Sequence, residues 1–242
     1  MRSKSEIYNK AYIWSMVTNR YWERDTGSTS IPRQAPMIIE SIGAQSILEE
    51  YEKILLFTPS GRLPNNDLNQ TSWYCEPLSI LLWALNLIDF PEQSDGVGLG
   101  IANIIFDEPL ENITLRSKEE LFDALATQFW IYRRVYAFLN GVQDVDLSNW
   151  IQRCGQLPDL LKLCANDLQM YDGQAISQWK IEDLSYDYAH INISKSRLKA
   201  LMWVFSALGY EEQQVNPNGI PMLPLQDTQS AAFTQWNHAG KP

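Results

Sequence analysis

The chain has 242 residues, of which 45% are hydrophobic and 12% aromatic, a composition that excludes an intrinsically disordered protein. Its formal net charge is −10. A negatively charged protein repels the phosphate backbone of nucleic acids, so nucleic acid is not expected as the principal partner. A chain of this size buries enough apolar surface to fold without a metal ion or a disulfide.

The first predicted element is a helix that begins after Ser3 or Ser5 and ends near Tyr21. Apolar residues recur in it at helical spacing and predict a buried face: Ile7, Tyr8, Ala11, Ile13, Trp14 and Val17. Residues 1–33 hold six basic and three acidic side chains, so the remainder carries a net charge of −13. The N-terminal residues contain no apolar stretch followed by a small-residue cleavage site, so the sequence predicts no secretory signal. We therefore expect a cytoplasmic protein.

The next stretches are less regular. Residues 25–36 predict a loop, because glycine, serine, threonine and two prolines break any period. Residues 37–57 predict one helix, or two helices broken near Gly43. The polar residues 65–72 predict a connection, with Thr71 or Ser72 as the N-cap of the helix that follows.

The central predicted element is a helix at residues 73–88, which from Leu78 onward is apolar on every side except at Ser79 and Asn86. Such a helix must be buried all round, and it is shorter than the roughly 20 residues of a membrane span. Pro77 predicts that the regular helix begins near Glu76 or bends there. We predict an all-α fold, an irregular multi-helix bundle around this buried helix.

The second half of the chain contains two clear helices. Ser117 and Glu120 form a capping box before a helix at residues 118–139, and Ser194 is the predicted N-cap of a last helix that ends at Gly209. The glycine-rich residues 96–100 predict a turn, since no Lys-Ser/Thr follows. For the later part of residues 142–192, from Tyr171 onward, the sequence is compatible with either a helix or a small pair of strands. We predict one helical domain at residues 1–215 and an extended C-terminal tail at residues 216–242.

Three stretches resemble a known family. WYCEPLSILLWALNL is similar to the W-x-x-E-A-L-x-V-L-L-W-A-L-G segment of the bacterial family called domain of unknown function 4272. LRSKEEL at residues 115–121, followed by IYRR, resembles its next helix, and SRLKALMWVFSALG resembles its closing helix. The resemblance covers most of residues 1–210 and implies a helical bacterial protein without an established activity.

The chain departs from the family pattern at two informative places. The family's Glu-Ala is Glu76-Pro77 here, and its Y-R-x-H-W is Tyr132 to Tyr136, so Val135 replaces a histidine that could act as a general base. This substitution weakens an enzymatic interpretation. His190 and His238 are the only histidines, and neither has a nucleophile motif beside it.

No cofactor or metal ion is predicted. The cysteines Cys75, Cys154 and Cys164 have no ligand spacing, and no H-E-x-x-H or complete calcium loop occurs. An odd number of cysteines also argues against a disulfide framework.

The candidate ligand or structural polar cluster consists of one acid and three arginines: Glu76, Arg116, Arg133 and Arg197. A carboxylate buried beside apolar helices must be paired or protonated, so we predict that Glu76 pairs with Arg197 or Arg133. Two interpretations stay open, namely a pair that fixes helix register and a polar pocket for a small molecule.

For function, the sequence favours a non-catalytic protein-binding module, such as an immunity protein that neutralises a toxin. The predicted surface for a basic partner is acidic: Asp159, Asp167, Asp172, Glu182, Asp183 and Asp187. The alternatives are a small-molecule-binding protein or enzyme with a pocket near Glu76, Arg133 and Arg197, and a structural subunit of a larger assembly.

Overall fold

A computed structural model describes residues 1–26, 30–92, 96–139, 170–171, 174–175 and 188–206. These residues contain seven α-helices: α1 (Lys4–Thr26), α2 (Ser30–Ser41), α3 (Glu50–Phe57), α4 (Asn65–Ser72), α5 (Cys75–Ala84), α6 (Lys118–Leu139) and α7 (Tyr188–Val204). Short 3₁₀ helices lie at Gln45–Ile47, Ser60–Arg62, Leu99–Asp107 and Leu110–Asn112. The predicted all-α class is confirmed for the described part of the chain.

The contacts divide the chain into two compact units. The first contains Met1–Leu121 and Ser196–Ser206, and the second contains Phe122–Lys195 and Ala207–Pro242. In the first unit, α1 packs against α2, α3, α4, α5 and the 3₁₀ helix Leu99–Asp107. Helix α1 therefore contacts most of the other elements of this unit. The predicted central helix, α5, is one of the helices that pack on α1.

The second unit is described over fewer residues. In α6, Leu125, Phe129 and Ile131 of this unit are buried, and the Gln128 side chain donates from Nε2 to the Ser194 carbonyl at 3.3 Å. Strand β1 (Met170–Tyr171) pairs antiparallel with β2 (Gln174–Ala175), so the strand-pair alternative applies at these four residues. The single domain at residues 1–215 stays a prediction, and the tail at residues 216–242 lies outside the described residues.

Helix α1 begins with a capping box. The Ser3 hydroxyl accepts from the Glu6 N–H at 3.2 Å, and the Glu6 carboxylate accepts from the Ser3 N–H at 2.9 Å. The predicted stripe faces the core, where Ile7, Ala11 and Val17 are fully buried. The helix continues to Thr26, beyond the predicted end at Tyr21, because the buried and paired residues Arg20 and Glu23 extend its inner face.

Helix α2 corrects the prediction of a loop at residues 25–36. Pro36 lies inside the helix and removes one backbone donor, which explains why the sequence resembled a loop. Ala35 and Ile39, one turn apart, are buried and hold the helix in place. The helix ends before Gly43, whose φ of +65° fits glycine, and the alternative of two helices broken near this residue is confirmed.

Helix α4 corrects the prediction of a connection at residues 65–72. Leu68 and Thr71 lie three residues apart and are both buried, which is enough to dock this otherwise polar helix. Helix α5 follows after a two-residue turn and begins at Cys75, so Pro77 lies in its first turn, where proline is tolerated. All residues of α5 except Pro77 are buried, as predicted.

Helix α5 ends at Ala84, four residues before the predicted end at Ile88. Asn86 adopts a left-handed φ of 57°, its N–H donates to the Trp83 carbonyl at 2.8 Å, and the Leu87 N–H donates to the Leu82 carbonyl at 2.9 Å. These two bonds form a Schellman motif. Gly43 occupies the same position after α2, so α2 and α5 end with the same geometry although the left-handed residue is glycine in one and asparagine in the other.

We expect Asn86→Ala to destabilise the chain by about 1 kcal/mol, because a β-carbon without a polar group is strained in the left-handed region. Asn86→Gly removes that strain and should leave the stability equal or slightly higher. Urea unfolding of both variants measures the difference. Equal stability of the alanine and glycine variants would contradict the assigned role of this residue.

The two later helices agree partly with prediction. The Ser117 and Glu120 capping box is present, since the Ser117 N–H donates to the Glu120 carboxylate at 2.9 Å and the Glu120 N–H donates to the Ser117 hydroxyl at 3.1 Å. Helix α7 begins at Tyr188, so Ser194 lies inside it and is not its N-cap. Buried Ile193 and Leu198 show that the packed face extends past Ser194 in both directions. The predicted stop at Gly209 lies outside the described residues.

Candidate functional site

Glu76 lies in the first turn of α5 and is 2% exposed. Its carboxylate accepts on both oxygens: the Val97 N–H donates to Oε1 at 2.7 Å, and Nε of Arg197 donates to Oε2 at 3.0 Å. A second guanidinium nitrogen, Nη2, lies 2.9 Å from Oε2. The structure therefore brings together Glu76 and Arg197, one of the two partners expected from the sequence.

Arg197 is fully buried on α7 and reaches beyond Glu76. Its Nη1 donates to the Glu92 carbonyl at 2.6 Å and to the Pro91 carbonyl at 3.4 Å. The planar guanidinium can make these contacts at once because its donors point in fixed directions. One side chain thus joins α7 to α5 and to the loop that follows α5.

Cys75 binds the same loop. Its Sγ donates to the Val97 carbonyl at 3.2 Å, so the N–H and the carbonyl of Val97 are held by adjacent residues of α5. Burial and then the neighbouring Glu76 carboxylate raise the pKa of the Cys75 thiol to about 12. The thiol stays protonated at neutral pH and is therefore a poor nucleophile.

We call Cys75, Glu76 and Arg197 the α5 clamp. The hydrogen-bond partners given above for the carboxylate and the guanidinium come from within the chain. A ligand at this place would have to displace Val97 or the loop carbonyls from a buried ion pair, at a cost of several kcal/mol. The geometry suits a clamp that fixes the register of α5, the loop and α7.

Arg116 lies at the opposite end of α5. Its N–H donates to the Ala84 carbonyl at 2.9 Å, Nε donates to the Trp83 carbonyl at 2.8 Å, and the guanidinium carbon lies 5.0 Å from the Trp83 ring centroid. A cation at the C-terminus of a helix complements the helix dipole. Arg116 therefore closes α5, about 12 Å along the helix from Glu76 at 1.5 Å per residue.

The side chains of the other predicted site residues lie outside the described part of the chain. The side chain of Arg133 lies outside the described part of the chain. All six residues of the predicted acidic surface are also outside it: Asp159, Asp167, Asp172, Glu182, Asp183 and Asp187. Of the four residues in the predicted polar cluster, the structure brings two together and puts Arg116 elsewhere.

A second buried ion pair was missed from the sequence. Lys10 of α1 is fully buried, and its Nζ lies 2.6 Å and 2.8 Å from the two carboxylate oxygens of Glu52 on α3. The same Nζ lies 3.1 Å from Glu49 and donates to the Ile47 carbonyl at 3.0 Å. The Trp14 indole donates to Glu52 at 2.6 Å, so this carboxylate has two side-chain donors.

The surroundings of this pair are apolar and aromatic. Burial raises the pKa of Glu52, and the positive charge of Lys10 opposes that rise. The Lys10 ammonium lies 5.4 Å from the Trp14 ring centroid and 5.6 Å from that of Trp203, both within reach of a cation–π interaction. Lys10 follows Ile7 by three residues and precedes Trp14 by four, and this helical spacing is the signal in the sequence that could have placed it on the buried face.

A sequence-family model described as a domain of unknown function, DUF4272, matches residues 1–141, more than half of the chain. The chain belongs to this family. The match confirms the suspected resemblance and ends before the third similar stretch, at residues 196–209. No curated protein and no solved structure matches the chain.

The DUF4272 segment contains both partners of the Lys10–Glu52 pair, whereas the Arg197 half of the α5 clamp comes from outside it. It also contains a third buried pair. Nε of Arg20 lies 2.7 Å from Glu23, and the guanidinium donates to the carbonyls of Leu56 at 3.2 Å and Thr58 at 2.9 Å. Burial lowers the pKa of Arg20, and the Glu23 charge opposes this. The pair ties α1 to the end of α3.

Neither a metal cluster nor a spanning helix occurs in the described part of this DUF4272 chain. No three or more His, Cys, Asp or Glu residues there are grouped so that they could hold a metal ion. Within the same residues, every helix is too short or too polar to cross a membrane.

Proposed function

We propose that this DUF4272 protein is a non-catalytic protein-binding module of the bacterial cytoplasm, and that it acts as an immunity protein that neutralises a basic toxin by holding it. The observation that carries the proposal is the distribution of charge. The formal net charge is −10, and the buried cations Lys10, Arg20 and Arg197 are each paired with a buried carboxylate, so these pairs cancel and the negative excess lies on the rest of the chain. The outward field is therefore acidic, which attracts a basic partner.

The basic excess of the N-terminal segment illustrates this distribution. Lys10 and Arg20 are fully buried, Lys4 donates to the carbonyls of Leu110 at 3.1 Å and Ile113 at 3.0 Å, and Arg2 lies 2.9 Å from Glu6. Four of the six basic residues in residues 1–33 thus have partners inside the chain. This supports a protein partner in preference to nucleic acid, which requires exposed basic groups.

The α5 clamp supports the binding role over a small-molecule pocket or an active site. Both carboxylate oxygens of Glu76 accept from groups of the chain, and the Arg197 guanidinium donates to two carbonyls of the neighbouring loop. Catalytic acids and bases need contact with a substrate, whereas these groups contact each other. The structural-subunit alternative stays a prediction that the same partner experiment addresses.

The test is recovery of the partner from the source cells. The full chain carries an affinity tag, is crosslinked in the cells and is purified, with an equally tagged acidic protein as the control. We expect one basic protein at close to a one-to-one ratio, released by high salt, whose toxicity disappears when the two are co-expressed. Recovery without any stoichiometric partner, or a partner whose toxicity persists, would overturn the proposed function.

A further inference from the structure

Helix α3 exposes a row of large apolar side chains. Tyr51, Ile54 and Phe57 are 37%, 45% and 37% exposed, and they follow one another at intervals of three residues. Residues three apart are neighbours on a helix surface, so the three side chains form one ridge. Single exposed apolar residues are ordinary, whereas these three are adjacent and form one continuous apolar row on an eight-residue helix. We call these three residues the α3 ridge.

The ridge rests on a fixed base. Leu55 and Leu56 are fully buried on the other side of α3, and Glu52 is held by Lys10 through the contacts given above. The Tyr51 hydroxyl donates to the Asp67 carboxylate of α4 at 2.9 Å, which orients the first ring of the row. A surface held in this way loses little conformational freedom when a partner binds.

Acidic groups surround the start of the ridge. The side chains of Glu49 and Glu50 are 45% and 80% exposed, and Asp67 contacts Tyr51 directly. Two cations lie beside these acids: the Lys53 ammonium is 2.9 Å from Glu50, and the buried Lys10 ammonium, which Glu52 shares, is 3.1 Å from Glu49. The surface therefore combines an apolar row with an excess of negative charge at one end.

We infer that the α3 ridge binds a partner protein through an amphipathic segment that presents apolar side chains next to lysine or arginine. This assignment rests on the proposed function and names the surface and the partner chemistry for it. Charge favours this partner over two others. A second copy of the chain would bring another net charge of −10 to an acidic surface and would be repelled. An anionic lipid surface would be repelled for the same reason. A basic segment is attracted.

The probe is a designed helical peptide with leucines on one face and lysines on the other, titrated calorimetrically into the full chain. A peptide in which glutamates replace the lysines is the charge control. The test variant is Ile54→Asp, and the matched variant is Met37→Asp, an equally charged change at an exposed apolar residue of α2. Thermal unfolding verifies that both variants fold.

We expect the lysine peptide to bind the wild-type chain, the glutamate peptide to fail, and Ile54→Asp to weaken binding about tenfold despite its added negative charge. Met37→Asp should change the affinity by less than about twofold. Equal affinities of the two variants, binding of the glutamate peptide, no binding of the lysine peptide, or a wild-type dimer that Ile54→Asp dissociates would each overturn the inference. A stoichiometric cellular partner that Ile54→Asp still binds refutes this surface alone, whereas absence of any partner refutes the proposed function.

Discussion

Arg197→Met is expected to destabilise the chain by about 3–5 kcal/mol, because it leaves the Glu76 carboxylate buried without its cation. It also removes the donor that the Pro91 and Glu92 carbonyls share. Methionine fills much of the space of the arginine stem, so the lost charge pairing and hydrogen bonds dominate the effect. Urea unfolding followed by circular dichroism gives the free energy of unfolding.

Lys199→Met is the matched control, since Lys199 lies two residues away on α7 and is partly exposed; the expected change is below about 0.5 kcal/mol. The double variant Glu76→Gln with Arg197→Met should be more stable than Arg197→Met alone, because glutamine removes the uncompensated charge and keeps an acceptor for Val97. If Arg197→Met and Lys199→Met unfold at the same urea concentration, the α5 clamp does not stabilise the fold.

Lys10→Met is expected to cost a similar amount, about 3–5 kcal/mol at neutral pH, since it leaves Glu52 buried without its cation. Lys53→Met provides the control on α3, because Lys53 belongs to an exposed pair with Glu50 that contributes at most about 1 kcal/mol. Thermal and urea unfolding of both variants measure the difference. A loss for Lys10→Met no larger than that for Lys53→Met would show that the buried pair adds no net stability.

The cost of Lys10→Met should also depend on pH. Burial raises the pKa of Glu52 above 4.5, so the carboxyl group of Glu52 binds a proton more tightly in the folded chain than in the unfolded chain. The stability linked to it is present below pH 4.5 and is lost as the pH rises through the folded pKa. Without Lys10 the folded pKa of Glu52 rises further, so the free energy of unfolding that Lys10→Met loses should grow as the pH rises above 4.5. A constant difference across this range would contradict the assignment.

The sequence predicted the helical class and the burial of α5 because those depend on local periodicity. It also allowed the Glu76–Arg197 contact to be anticipated, since a carboxylate at the start of an apolar helix requires a cation and few arginines lie beside packed helices. The capping box of Ser117 and Glu120 was also predictable from the sequence, because all of its groups lie within four consecutive residues.

The errors arose where tertiary packing outweighs local preference. Pro36 inside α2 suggested a loop, but the burial of Ala35 and Ile39 maintains the helix. The polar residues of α4 showed no period, yet Leu68 and Thr71 suffice to dock two turns. The Lys10–Glu52 pair was missed because a lysine is normally assigned to solvent, and its partner is 42 residues away in the sequence.

The α5 clamp has a consequence for biosynthesis. Glu76 and Arg197 are separated by 121 positions, so at roughly 5–20 residues per second the ribosome needs roughly 6–24 seconds to supply the second after the first. During that interval the Glu76 carboxylate of α5 has no guanidinium partner. Burying the carboxylate before Arg197 is available would leave an unpaired charge in the core. The closing contact of α7 also includes the Arg2 N–H bond to the Val204 carbonyl, which joins the chain's first residues to its last described helix. We therefore expect the first unit to complete its folding only after Arg197 and Val204 have been translated.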